Sequence, residues 1–243
     1  MLRIGPDSCF AHRGLHDAQH PRNSLSAIVA AADAGYGIEF DVHLSADGVP
    51  IVSHDPDTRA DTGADCIIEA TPASVLTALR FLHGGEPLAT LDDVVRAVGP
   101  AVPLLVEIKP TRRRREAVAA VAERVGGREH SVALQSFDPG VVHAAQRQCP
   151  GFAVGQLGDT PSAGQSAVQR AFWSALPTNL LTRPDFLALP VPMLQRPMVR
   201  FWRARLGCAL LAWTVVDDEG ARRSHAAGAG VIFESIRPGA SGQ

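Results

Sequence analysis

Short apolar runs alternate with alanine-rich amphipathic stretches from one end of the chain to the other. No other feature restricts its fold as much. The strand-like runs are SCFAHRG, GIEFDVHL, VPIVSHD, PLLVEIK, SVALQSF, FAVGQLG, PDFLALP, ALLAWTVV and GVIFE. Helical spacing occupies 24–35, 91–99, 115–126, 139–149, 165–176 and 219–230. Several of these close on glycine, which ends helices in a left-handed conformation. Strand–helix alternation of this kind builds parallel strands joined by helical crossovers. The expected fold is therefore α/β, an eight-stranded parallel barrel. Nine strand runs are one too many, and VPIVSHD is the expected extra, because SADG before it signals a tight hairpin turn. Residues at about 55–88 are irregular and rich in Thr, Gly and Pro, and read as a small insertion after the second strand. With no repeat and no break in composition, 1–243 reads as a single domain.

Composition excludes several classes. A chain of 243 residues, 46% hydrophobic with a formal net charge of -2, can build a normal core. Its balance argues against a dedicated nucleic-acid binder, which carries a strong basic excess. The N-terminal MLRIGPDSCFAHRG lacks the form of a secretory leader, and no apolar run reaches the roughly 20 residues of a membrane span. Cys9, Cys66, Cys149 and Cys208 are far apart and form no CxxC pair. They read as free, mostly buried thiols in a reducing cytoplasm.

The chemistry gathers at the ends of the strands. In GIEFDVHL, Ile38, Phe40, Val42 and Leu44 fall on one side, and Glu39, Asp41 and His43 on the other. A polar strand face is ordinarily solvated, but Glu107 and Lys109 alternate in the same way in LLVEIKP. His12-Arg13 closes the first strand, and His54 follows the hairpin. A parallel barrel brings such strand ends together around one mouth. Three carboxylates there would repel one another without a divalent cation. An all-oxygen set suits Mg²⁺ or Ca²⁺ better than Zn²⁺. Two histidines beside the ion suit general acid and base chemistry, while Arg13 and Lys109 suit an anionic substrate. The ensemble reads as metal-assisted cleavage of a phosphate ester.

AHRGLHDAQHPRNS, GIEFDVHLSADG and IVSHD, followed by LLVEIKP, LQSFDP and AWTV, resemble in order the signature of glycerophosphodiester phosphodiesterases. The resemblance runs from about Phe10 to Pro238. It implies a TIM-type barrel that hydrolyses glycerophosphodiesters to glycerol 3-phosphate and an alcohol, using Mg²⁺ or Ca²⁺, with Mn²⁺ also suited. It implies His12 and His54 as the acid–base pair and Glu39, Asp41 and Glu107 as metal ligands. Arg13 and Lys109 would then face the phosphate, and Trp213 would line the pocket. Barrels of related sequence also act as lyases that yield a cyclic phosphate, and a non-catalytic phosphodiester-binding barrel is the rival from another class. Three positions depart from the signature: Arg22 stands where a glutamate is usual, Val216 replaces an asparagine, and the end reads FESIRP. Arg22 is expected to pair with one of the metal-site carboxylates and weaken metal binding.

Other polar and aromatic residues read as structural. His16, His20, His43, His83, His130, His143 and His225 carry no motif of their own. Arg112 to Arg115 suit a solvated helix start. The pairs Phe172–Trp173 and Phe201–Trp202 are expected to pack helices onto the barrel.

Overall fold

The structure is a computed structural model that describes residues 1–160 and 177–238. Nine strands run in chain order: β1 (Cys9–His12), β2 (Gly37–Leu44), β3 (Pro50–Val52), β4 (Leu104–Ile108), β5 (Val132–Ser136), β6 (Ala153–Leu157), β7 (Phe186–Pro190), β8 (Ala209–Val215) and β9 (Gly230–Phe233). All but β3 pair in parallel, and β1 bonds to both β2 and β9, so the ring closes as a TIM-type barrel. β3 turns back along the far end of β2, with Val52 opposite Val42. The ninth run is thus the expected hairpin, and Gly48 supplies the positive φ of 83° that its turn requires.

Strand periodicity divides each strand between two environments. Ile38, Phe40, Val42 and Leu44 pack outward beneath the helices, in one core with Ile28 and Ala31 from the helix Leu25–Asp33. Phe10, Leu105, Ala133, Ala153, Phe186, Leu211 and Ile232 fill the barrel interior. A Cβ on Gly155 would lie 2.1 Å from the Phe186 ring, so this ring occupies the barrel axis only because position 155 has no side chain. Two residues further along the same inward faces stand His12, Glu107, Gln135, Trp213 and Glu234. The apolar plug is therefore roofed by polar groups at the C-terminal end of the barrel.

Insertion residues form two short helices, Arg59–Thr62 and Ala73–Leu76, around Ile51, Ile68, Ala73 and Leu76. The helix Pro197–Leu206 corrects the expectation for its aromatic pair. Trp202 is buried, but Phe201 is 52% exposed and only edges against its neighbour. A single residue of the pair can face the barrel, because adjacent helical positions point about 100° apart. The expected helix at 165–176, with Phe172–Trp173, lies outside the described residues. The four cysteines are free. Among the described residues, no helix is long and apolar enough to cross a membrane.

Candidate active site

Strand register assembles the site. It sets His12 beside Glu39, Asp41 beside Glu107, and Glu107 beside Gln135. Glu39, Asp41 and Glu107 are buried, and each offers an oxygen within 4.8 Å of the others. The polar side of β2 is therefore the wall of a site and not a solvated face. Lys109 Nζ lies 2.7 Å from Asp41 Oδ1 and 2.8 Å from Glu107 Oε1. Arg13 Nε is 3.2 Å from Asp41 Oδ2. A cavity of about 230 Å³ opens above them, lined by His12, Arg13, Glu39, His54, Glu107, Lys109 and, opposite in the lining, Phe137, Asp159 and Trp213. His12, Arg13, Glu39, His54, Glu107, Lys109 and Trp213 all meet here, and Asp41 contacts Arg13 and Lys109. A larger cavity of about 800 Å³ is lined by Arg3, Arg183 and Arg205 and contains none of them.

Burial raises Glu39 well above the ordinary carboxylate range, and the charges of Asp41 and Glu107 raise it further. Burial also pushes Glu107 up to about 7, again aided by Asp41. For Asp41 burial acts in the same direction, but Lys109, Arg13 and the Asn23 amide outweigh it and hold the carboxyl at about 2. One carboxylate is thus firmly ionised and two resist losing their protons. A hard divalent cation among three such oxygen donors satisfies all of them, so the residues fit Mg²⁺ or Ca²⁺.

His12 and His54 each have a carboxylate partner. His12 Nδ1 is 2.7 Å from Glu234 Oε2, and His54 Nδ1 is 2.7 Å from Asp55 Oδ1. With Nδ1 engaged, Nε2 is the ring nitrogen left for a ligand. Burial lowers the His54 pKa, and the positive charges of Lys109 and Arg13 lower it further, so this ring is neutral at pH 7. His43 shares the face of Asp41, yet its Nε2 is 3.1 Å from the His54 carbonyl oxygen, a structural contact.

The sequence model described as the glycerophosphoryl diester phosphodiesterase family matches residues 12–236. The chain belongs to that family. Glycerophosphodiester phosphodiesterase 1 of Bos taurus is 50% identical over 50 residues, which are 20% of this chain and 14% of that relative's length. A solved Oleispira antarctica phosphodiesterase, in complex with the product sn-glycerol-3-phosphate, is 25% identical. The match covers 93% of this chain and 92% of that one, with a TM-score of 0.76. The glycerophosphodiester phosphodiesterase from Thermotoga maritima is 28% identical over 93% of this chain and 94% of that one, at a TM-score of 0.71.

In this family member, Asn23, Gln135 and Glu234 also belong to the site, and residue patterns did not single them out. Asn23 takes a left-handed φ of 59° just before Ser24, which caps the helix Leu25–Asp33 by accepting from Ala27 N–H. That conformation turns the amide inward, where Nδ2 donates to Asp41 Oδ2 at 2.9 Å. Gln135 Nε2 donates to Glu39 Oε1 at 3.3 Å. Glu234 follows β9 and reaches both His12 and His16, whose Nε2 is 3.4 Å from Oε1. FESIRP thus supplies a carboxylate to a histidine near the other end of the chain.

The expected pairing of Arg22 with a metal-site carboxylate is not seen. Arg22 is exposed and makes no ion pair or hydrogen bond among the described residues; the cations that reach Asp41 are Arg13 and Lys109. Arg22→Glu is accordingly expected to change the half-saturating metal concentration by less than about fivefold, the range open to a screened surface charge. Metal titrations of both proteins at physiological ionic strength check this.

Proposed function

We propose that this chain hydrolyses glycerophosphodiesters to glycerol 3-phosphate and an alcohol, with Mg²⁺ or Ca²⁺ as cofactor and Mn²⁺ also suited. One observation carries the reading: two carboxylate-backed histidines share a small cavity with three clustered carboxylates, an arginine and a lysine. The product bound to the Oleispira antarctica relative supports the substrate class. Glu39, Asp41 and Glu107 would hold the cation, which supplies neutralisation of charge on the phosphoryl oxygens. Arg13 and Lys109 bind those oxygens and orient the ester. His54, neutral at rest, takes the proton of the attacking hydroxyl or water at Nε2. His12 delivers a proton from Nε2 to the departing alkoxide, with the Glu234 carboxylate placed to pair with its protonated ring. Trp213 forms a wall of the pocket. Free thiols support a reducing, cytoplasmic setting.

The deciding assay is coupled detection of glycerol 3-phosphate from a panel of glycerophosphodiesters with Mg²⁺, Ca²⁺ and Mn²⁺. Release of glycerol 3-phosphate is the expected result. A persistent cyclic phosphate in the phosphorus NMR spectrum would make the chain a lyase. Binding without turnover would make it a non-catalytic barrel.

Glu234→Gln is expected to lower kcat about 10- to 100-fold with little change in KM, as loss of an orienting carboxylate does. It also bears on acid stability. The His12 hydrogen bond, against the opposing effect of burial, holds the Glu234 carboxyl at about 2, compared with an ordinary 4.5. A depressed carboxylate contributes stability above its unfolded pKa and loses it as pH falls through the folded one. The wild type should therefore shed this contribution between about pH 4.5 and 2, and the glutamine variant should not. Urea midpoints across that window measure the difference.

A further inference from the structure

The cavity has two unlike walls. β1, β2, β4 and the loop after β3 contribute every cation and every clustered carboxylate. The remaining lining is Gln135, whose amide is turned to Glu39, together with Phe137, Leu157, Asp159, Trp213 and Ile232 from the loop after β5, the end of β6 and strands β8 and β9. The Phe137 and Trp213 rings meet edge to face, with centroids 5.5 Å apart at 85°, and both are only half-buried. Trp213 Nε1 donates to the Ala188 carbonyl oxygen at 3.1 Å, which fixes the ring and uses its single polar atom. Asp159 is exposed and receives the Thr160 N–H and hydroxyl on one oxygen. It pairs with no cation among the described residues. Among the described residues, Phe137, Asp159 and Trp213 therefore offer π surface and one carboxylate, and no free side-chain donor.

A polyol head group needs donors as well as acceptors. A compact ammonium needs neither hydroxyl partners nor depth: it needs aromatic surface and a negative charge. The cavity, at about 230 Å³, also suits a small group. We propose that Phe137, Trp213 and Asp159 form a recognition site for a small cationic alcohol. Among glycerophosphodiesters, the chain would then prefer those whose head group carries an ammonium, such as choline or ethanolamine. This rests on the diesterase reading, and its test includes an arm that does not.

The catalytic arm compares wild type with Asp159→Asn on the choline, ethanolamine, inositol and glycerol esters of glycerol 3-phosphate, with Mg²⁺ present. The ratio of kcat/KM for the first two to that for the last two is expected to fall about tenfold. If all four substrates fall together, the wall holds the glycerol moiety they share and the proposal is overturned. An unchanged ratio overturns it as well. The binding arm measures, by calorimetry on the Mg²⁺-supplemented protein, the affinity for choline and for its neutral isostere 3,3-dimethylbutanol. Choline is expected to bind about tenfold more tightly to the wild type, with the difference lost in Asp159→Asn. Equal affinities in the wild type overturn the proposal. If the wild type cleaves none of the four esters, the diesterase reading fails, and the binding arm still decides this one.

Discussion

Replacing either His12 or His54 by alanine is expected to lower kcat by about 10²- to 10⁴-fold, the range of lost general acid or base catalysis. The two losses should differ in kind. His54 is kept neutral by burial and by Lys109 and Arg13, so it is poised to accept a proton. His12 lies against Glu234, which is ionised across the working pH range. An ester with a good leaving group, such as a nitrophenyl ester, needs no proton on its departing oxygen. It should restore activity to His12→Ala and leave His54→Ala impaired. The wild-type pH–rate profile on natural substrates should be bell-shaped, with one limb lost in each variant. Near-wild-type rates for both variants on the natural ester would make these histidines structural.

Thorough chelation is expected to abolish turnover, and Mg²⁺, Ca²⁺ or Mn²⁺ to restore it. The three carboxylates should not respond alike to neutralisation. Glu39 is already reluctant to ionise, so Glu39→Gln should weaken metal binding and leave thermal stability nearly unchanged, whereas Glu107→Gln should weaken metal binding and also remove an ion pair with Lys109. Asp41 is the counter-ion of both Lys109 and Arg13. Asp41→Asn takes the carboxylate from Arg13 and leaves Lys109 with Glu107 alone, and should cost about 3 kcal/mol of stability, the order seen when one partner of a buried pair is removed. Protons compete with the cation for Glu39 and Glu107. Metal affinity should therefore rise between pH 6 and 8, across the value of about 7 at Glu107, with protons released on binding. Calorimetry in buffers of different ionisation enthalpy measures that release. Full activity in excess chelator would rule out the metal-assisted mechanism.

The barrel and most of its site were legible because they are written in local periodicity. The alternation in GIEFDVHL separates Ile38 and Phe40 from Glu39 and Asp41, and the fold keeps that division. SADG announced the hairpin that carries His54. What escaped depends on closure and on single backbone torsions. Glu234 reaches His12 only because β9 lies beside β1 in the closed ring, a pairing with no trace in sequence spacing. Arg22 and Asn23 are neighbours with opposite fates, since one left-handed torsion turns Asn23 inward while Arg22 stays exposed. The helix Pro197–Leu206 had its signals, Pro197 at its start and Gly207 at its end. Its three arginines and narrow buried stripe of Val199 and Trp202 masked the periodicity.

Lys109 has a consequence for the order in which this protein matures. Its ammonium lies between Asp41 and Glu107, and Arg13 stands on the other side of Asp41. Together they offset much of the repulsion that three clustered carboxylates would otherwise bring to the newly closed barrel. Metal sites assembled from bare ligands tie folding to metal supply, as in domains that remain unfolded until the ion arrives. Here the chain carries its own provisional counter-charge. Under the proposed metal-assisted mechanism, closing the barrel and acquiring an ion would then be separable events, with the fold forming before the ion is bound.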